Sequence, residues 1–260
     1  MSKQRPFRES GRFLYKFTGK SIILSPREQS LFRDLKDFPW GIDTESRLLK
    51  RISILLLLFG GLTAQTFSIA RLHYGGGGDW YTDPSSLPNL LDYLSAHTPI
   101  RAGEEVRLTA TDKDLFAHPY LYMTGHGNIR FTEAELENLR QFLLAGAFLH
   151  ADDCYGMDAS FRREMKRLFP DRDLVELPHN HPLFSAFYSF PAGLPKIHEH
   201  DGKPPQALGI FDGDRLMVLY TYETDLGDGW EDKEVHHDPA ELREAALKMG
   251  VNIIYYALSQ

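Results

Sequence analysis

The 260-residue chain is 42% apolar and 12% aromatic, an ordinary globular composition that argues against wholesale disorder. Charge is unevenly spread: residues 1–51 carry twelve Lys and Arg against six Asp and Glu, so a net −7 for the whole leaves −13 for the rest. An acidic body repels phosphate backbones, which argues against nucleic acid as a partner, and a single cysteine excludes an internal disulfide framework and any multi-cysteine zinc site.

Residues 1–46 read as a basic extension without a sustained strand or helix pattern, although Ser25 and Glu28 have capping-box spacing ahead of Leu31, Phe32, Leu35 and Phe38. Arg47, Lys50 and Arg51 then precede an apolar run at 52–62, too short for a membrane span of about 20 residues. A basic lead, a run of this length and small residues around Ala64 predict a signal peptide over 47–65, cleaved near Ala64 or Gln65. The alternatives are a buried helix or a single hydrophobic anchor. Signal peptides begin close to the start of translation, so this position points to an over-extended reading frame with its true start near Leu48 or Leu49. The expected location is the periplasm or the exterior of a bacterium, with membrane contact only through the apolar segment if it stays uncleaved.

From residue 66 onward the chain reads as one α/β domain. Alternating apolar residues at 67–72 predict a first strand, which runs into Gly75-Gly76-Gly77-Gly78, Asp79, Trp80 and Tyr81. Four glycines give a loop whose amides can approach a ligand, or else a flexible turn. Asp83 and Pro84 predict a helix start, followed by the stripe Leu87, Leu90, Leu91 and Leu94. A strand at 106–109 and a helical turn at 112–116 follow.

The organising stretch is 120–156: a strand, the turn Gly125-His126-Gly127, a helix at 132–145 with Thr132 and Glu135 as capping box, a strand at 147–151, and the elbow Asp152-Asp153-Cys154-Tyr155-Gly156. Apolar strands alternating with amphipathic helices predict a mostly parallel sheet covered on both faces, with ligands expected outside the carboxyl ends of its strands. The helix after the elbow has Asp158 as cap and Pro170 as stop. Prolines then multiply through 174–206, a β-hairpin turns at Asp212-Gly213, a polar loop spans 223–232, and a last helix is capped by Asp238-Pro239.

Long segments at 74–81, 124–127, 152–158, 161–165, 198–205 and 225–232 resemble the domain-of-unknown-function (DUF) 4159 family over about residues 66–260. That family is similar to class I glutamine amidotransferase-like folds and, distantly, to trehalose-utilisation proteins. The resemblance implies an α/β three-layer sandwich of flavodoxin-like or amidotransferase-like type, and no established activity. In amidotransferases the elbow cysteine sits in Gly-x-Cys-x-Gly, with a His-x-Glu pair after the last strand. Here Asp153 precedes Cys154, and Tyr222-Glu223-Thr224-Asp225 offers no histidine. A thiolate needs a base or a positive neighbour, so glutaminase chemistry is not expected.

Asp153, His126 and Cys154 are the catalytic candidates, Cys154 reading first as a small buried residue at a tight turn. Gly76, Gly77, Asp79, Trp80, Asp152, His198, His200, Asp201, Lys203, Asp225, Asp228 and Trp230 are the ligand-binding candidates. In an extended segment His198 and His200 point the same way, a half-site for a divalent metal; the plainer reading has them bracing a lid. Trp80, Tyr81 and Trp230 read as sugar-stacking platforms or loop anchors, and His236-His237 as solvated surface. Two functions stay open: a cell-envelope ligand-binding or scaffold domain that has lost the triad, and a carboxylate/histidine hydrolase, with or without a metal, on a sugar-like or peptide substrate. The expected partner is a small polar ligand or an envelope protein.

Overall fold

A computed structural model describes residues 66–260 and, before them, three short strands; the rest of 1–65, including the expected signal segment, lies outside the described residues. The chain divides into two compact units, Met1–Ala64 and Gln65–Gln260. In the first, β1 (Arg8–Glu9), β2 (Arg12–Phe17) and β3 (Lys20–Ile23) pair antiparallel in that order, where the sequence had suggested no sustained strand. Among the described residues no helix is long and apolar enough to cross a membrane.

The second unit is a mixed α/β domain built on one seven-stranded sheet. Its strands are β4 (Ala70–His73), β5 (Val106–Thr109), β6 (Tyr120–Met123), β7 (Phe148–Asp152), β8 (Val175–Glu176), β9 (Gln206–Asp212) and β10 (Arg215–Tyr222). They lie in the order β5-β4-β6-β7-β10-β9-β8. The first five in that order are mutually parallel; β9 and β8 add on antiparallel through the hairpin. From β4 the chain first steps outward to β5 and then returns to the other side as β6. Such a reversal opens a crevice at the carboxyl ends of the two strands.

Side chains alternate across the sheet and feed two apolar clusters. Leu121, Met123, Leu149 and Ala151 pack with α2 (Glu133–Leu144) and α3 (Asp158–Leu168) through Leu139, Phe142, Phe161 and Met165. Tyr120, Tyr122 and Phe148 belong to the other cluster, with α1 (Ser86–His97) and α6 (Ala240–Ser259). The stripe Leu87, Leu90, Leu91 and Leu94 is buried as its spacing predicts, each leucine contributing about 1.5–3 kcal/mol. Thr132 and Glu135 form the capping box, and Gly146 follows α2 with φ +115.

Three expected caps are corrected. Helix α1 begins after Ser85, while Asp83 sits in a left-handed turn at φ 53. Its carbonyl accepts from the buried Arg71 (3.1 Å), which also holds Glu105 (3.0 Å) and the Thr82 carbonyl (2.8 Å). Met157 rather than Asp158 precedes α3, and Asp238 caps nothing because its carboxylate faces His198. The polar segment at 223–232 also contains a short, wholly buried helix, α4 (Leu226–Trp230), followed by α5 (Lys233–His236).

Candidate functional site

The glycine run after β4 lies along the segment that follows β6. Gly78 and Asp79 donate their amides to the carbonyls of Asn128 (3.0 Å) and His126 (3.3 Å), and Arg130 donates back to Gly75 (2.7 Å). A side chain on Gly76 would collide with the Arg130 amide nitrogen at 2.6 Å, and one on Gly78 with the His126 carbonyl at 2.8 Å. Glycine is therefore required at 76 and 78 for chain-to-chain contact, and the Gly78 and Asp79 amides are not free for a ligand; Gly77 faces open space.

The same pairing delivers Asp79 beneath His126. One Asp79 oxygen accepts from the His126 amide and the other lies 3.0 Å from the ring Nδ1. On its far side, the His126 Nε2 lies 3.4 Å from Cys154 Sγ. The elbow thus meets a histidine after all. It comes from the turn after β6 rather than from the end of the last strand, where the sequence offers no histidine. Cys154 is 2% exposed, and the next residue, Tyr155, is left-handed at φ 45. Non-glycine residues in that region are uncommon and cluster at functional sites. Asp83, Glu223 and Asp225 share the conformation around the same spot.

Carboxylates also crowd the thiol: donor atoms of Asp83 and Asp228 lie within 4.8 Å of Sγ. Asp228 Oδ1 is 4.0 Å from Sγ. Asp152, fully buried, accepts from the Gly227 amide (2.6 Å) and from the Thr221 hydroxyl, and so fixes the start of α4 against the end of β7. Burial first, then the charge of Asp225, pushes the Asp152 carboxyl well above the usual range. Burial likewise raises Asp83 to about 7, helped by Asp228, and Asp153 to about 6. The thiol is pushed up as well, by burial and then by Asp225, Asp83 and Asp228.

Both late loops close over this elbow. Ile197 donates its amide to Thr224, Asp201 to Glu223 Oε1, and Lys196 Nζ lies 2.8 Å from Glu223 Oε2. His200 Nε2 is 3.0 Å from Asp225 Oδ2, and its Nδ1 is 4.0 Å from Asp153 Oδ2. His198 Nδ1 faces Asp228 at 2.9 Å and Asp225 at 3.2 Å. Hydrogen bonds to those two aspartates raise His198 to about 11. Burial alone would lift the Asp225 carboxyl, but His198 and His200 outweigh it and hold it near 2.

The profile of a domain of unknown function, DUF4159, matches residues 68–258. The chain belongs to the DUF4159 family. Among curated proteins no match to it is found.

Within this DUF4159 domain the sequence candidates separate. Asp79, His126, Asp152, Asp153, Cys154, His198, His200, Asp225 and Asp228 converge at the carboxyl edge of the sheet. Trp230 does not: it is fully buried, donates Nε1–H to the Ala246 carbonyl at 2.8 Å, and belongs to the core. Trp80 stacks on His73 with ring centres 4.1 Å apart, Lys203 donates to the Tyr222 hydroxyl, and Asp201 stays half exposed. The reading of the elbow in the sequence overlooked Asp83, Glu231, His236 and Asp238. His236, read as solvated surface, has Nε2 at 3.4 Å from Asp228 and 3.3 Å from Glu231. The available signal was the density of Asp and Glu around it at 225–238.

Proposed function

We propose that the domain is a cysteine-dependent hydrolase of the acyl-transfer class, with Cys154 as nucleophile, His126 as general base and Asp79 as the group that orients it. The carrying observation is the line of contacts from Sγ to Nε2 (3.4 Å) and from Nδ1 to Asp79 (3.0 Å). A nucleophile, a base within reach and a third group that fixes the base are the requirements of such chemistry. Asp79 holds the proton on Nδ1, which leaves the Nε2 lone pair facing the thiol. In the reaction Nε2 takes the thiol proton as sulfur bonds the acyl carbon. It then returns that proton to the leaving amine or alcohol as the acyl bond breaks, and water releases the acyl group by the same path. The carboxylates around Cys154 disfavour a resting thiolate, so proton removal has to accompany attack. They also favour a neutral or cationic substrate over an anionic one.

Cys154 is the only cysteine, so its reactivity can be read unambiguously on the full chain by intact mass. Alkylation by iodoacetamide near neutral pH is expected to slow about tenfold or more in His126→Ala, and less in Asp79→Asn. Turnover of p-nitrophenyl acetate is expected to fall at least ~100-fold in Cys154→Ser with the fold intact. A second reading, a ligand-binding or scaffold domain with an inert thiol, is favoured by the 2% exposure of Cys154. Equal and negligible labelling of all three chains would establish it and end the hydrolase proposal.

The class I glutamine amidotransferase-like sandwich belongs to the same proposal, supported by the parallel strand order and by the elbow after β7. So does export: the basic residues before Ile52 and the apolar run after it support a mature envelope protein beginning near Thr66. Mass spectrometry of the native protein would then find residues 1–64 removed; their retention on a cytoplasmic form would sink that part.

A further inference from the structure

We propose that His198, Asp228 and His236 bind one divalent transition-metal ion of the zinc class. The three offer two imidazole nitrogens and a carboxylate oxygen, all within 4.8 Å of one another. His198 Nδ1 lies 2.9 Å and His236 Nε2 3.4 Å from the same oxygen, Asp228 Oδ2. Zinc bonds of about 2.0–2.2 Å in tetrahedral array separate neighbouring donors by roughly 3.4 Å, so small side-chain shifts suffice to close the site. Two imidazoles with a carboxylate suit zinc, iron(II) or manganese better than calcium or magnesium.

Three further features point at an ion rather than at a mere acidic surface. His198 Nε2 lies 3.1 Å from Asp238 Oδ1. A carboxylate behind a ligating imidazole holds the proton on the far nitrogen and turns the other lone pair to the metal. Next, Asp225 has only 4% of its side chain exposed; its Oδ2 is 3.2 Å from His198 Nδ1, while its Oδ1 is buried without a hydrogen-bond partner. An unpartnered buried carboxylate oxygen is costly unless a cation meets it. Glu231 Oε2, 3.3 Å from His236 Nε2, is a further oxygen donor beside the site. Finally, no Lys or Arg side chain among the described residues forms an ion pair with Asp225, Asp228 or Glu231, whereas Lys196 serves Glu223 and Arg71 serves Glu105. The two histidines keep 27% and 29% of their side chains exposed, which gives an ion a way in.

The site uses no atom of Cys154 and stands whether or not the thiol is a nucleophile. Asp228 nevertheless also belongs to a second cluster with donor spacing, Asp83-Cys154-Asp228, and the experiment separates the two. The full chain, stripped with chelator, is titrated with zinc by calorimetry and with cobalt(II) by absorption. One equivalent is expected, with a cobalt spectrum lacking a thiolate charge-transfer band. His236→Ala and His236→Gln are each expected to weaken binding at least ~10-fold, and Asp238→Asn about 10-fold. Cys154→Ser and the neighbouring His237→Ala are expected to bind as the parent does. His236 lies on a short surface helix with no buried residue, and His236→Gln keeps its polarity, so a fold defect does not stand in for ligand loss. Absence of stoichiometric zinc, unchanged affinity in both His236 variants, or a thiolate band that Cys154→Ser abolishes would each overturn the assignment.

Discussion

Trp230→Ala is expected to destabilise the domain by about 3–5 kcal/mol in chemical denaturation, the range for emptying a fully buried aromatic site. The indole is 0% exposed, and it packs near Tyr122 and His150 with ring centres 5.6 and 6.0 Å away. It fits against Gly250 of α6, where a methyl would stand only 3.1 Å from the ring. Its N–H serves the Ala246 carbonyl, so truncation also removes a buried hydrogen bond and opens a void. Its own carbonyl accepts from Asn89 at 2.9 Å, which ties α4 to α1. The loss reaches the site because α4 carries Asp228 and is flanked by Asp225 and Glu231. Trp230→Phe, which keeps the apolar ring but not the donor, is expected to cost clearly less. A loss below 1 kcal/mol for the alanine variant would mean that the 225–231 segment is not anchored through this ring.

What the sequence made legible follows from how local each signal is. The leucine stripe of α1, the capping box of α2 and the hairpin at Asp212-Gly213 are each specified within a dozen residues, and the structure has them. The parallel sheet was readable because buried apolar strands alternated with amphipathic helices. The Cys154–His126–Asp79 line was not, since its members are 28 and 47 residues apart and meet only through strand order. The glycine run is legible only in part, for a related reason. Its composition says that the backbone comes close to something, and only the register against 126–130 says that the something is the chain itself. Trp230 reads in the sequence as a stacking platform or a loop anchor, because Gly227, Asp228 and Gly229 around it look like a loop; its burial and its hydrogen bond to Ala246 make it an anchor. Gly227 and Gly229 are in fact spacers: a side chain there would strike the Tyr122 hydroxyl or Ala246. Asp83-Pro84 had the chemistry of a helix start, but Arg71 seizes the carbonyls of 82–83 and holds the aspartate in a left-handed turn instead. A buried arginine's demand for acceptors outweighs a cap worth about 1 kcal/mol.

The carboxylates at the elbow also set how stability should respond to pH, and the direction is opposite to ordinary acid denaturation. Asp83 and Asp153 hold their protons to about 7 and about 6 in the folded chain, against an ordinary aspartate value of 3.8. Between roughly pH 4 and 7 the unfolded chain therefore ionises these groups more readily than the folded chain, and raising the pH favours unfolding. His198, at about 11, and His200, raised chiefly by its hydrogen bond to Asp225, act in the same sense at higher pH. Their stabilisation is complete below the ordinary imidazole value of 6.5 and is lost as pH climbs toward the folded one. Asp225, near 2, opposes this only at the acid end, where its contribution disappears below 3.8. The metal-free chain is thus expected to be most stable near pH 4–5. From there to pH 8 it should lose several kcal/mol, read as a fall of at least roughly 5 °C in melting temperature for a domain of this size. Scans in chelator at pH 5 and pH 8 measure it. Asp83→Asn keeps the Thr82 hydroxyl contact and tolerates the left-handed backbone, so it should flatten the slope without lowering stability at pH 5. A melting temperature that rises between pH 5 and pH 8 would show that these carboxyls ionise freely in the folded state. Zinc added at pH 8 should recover much of the loss in the parent chain and little in His236→Ala, because an ion on Asp228 supplies the positive charge that the buried cluster lacks.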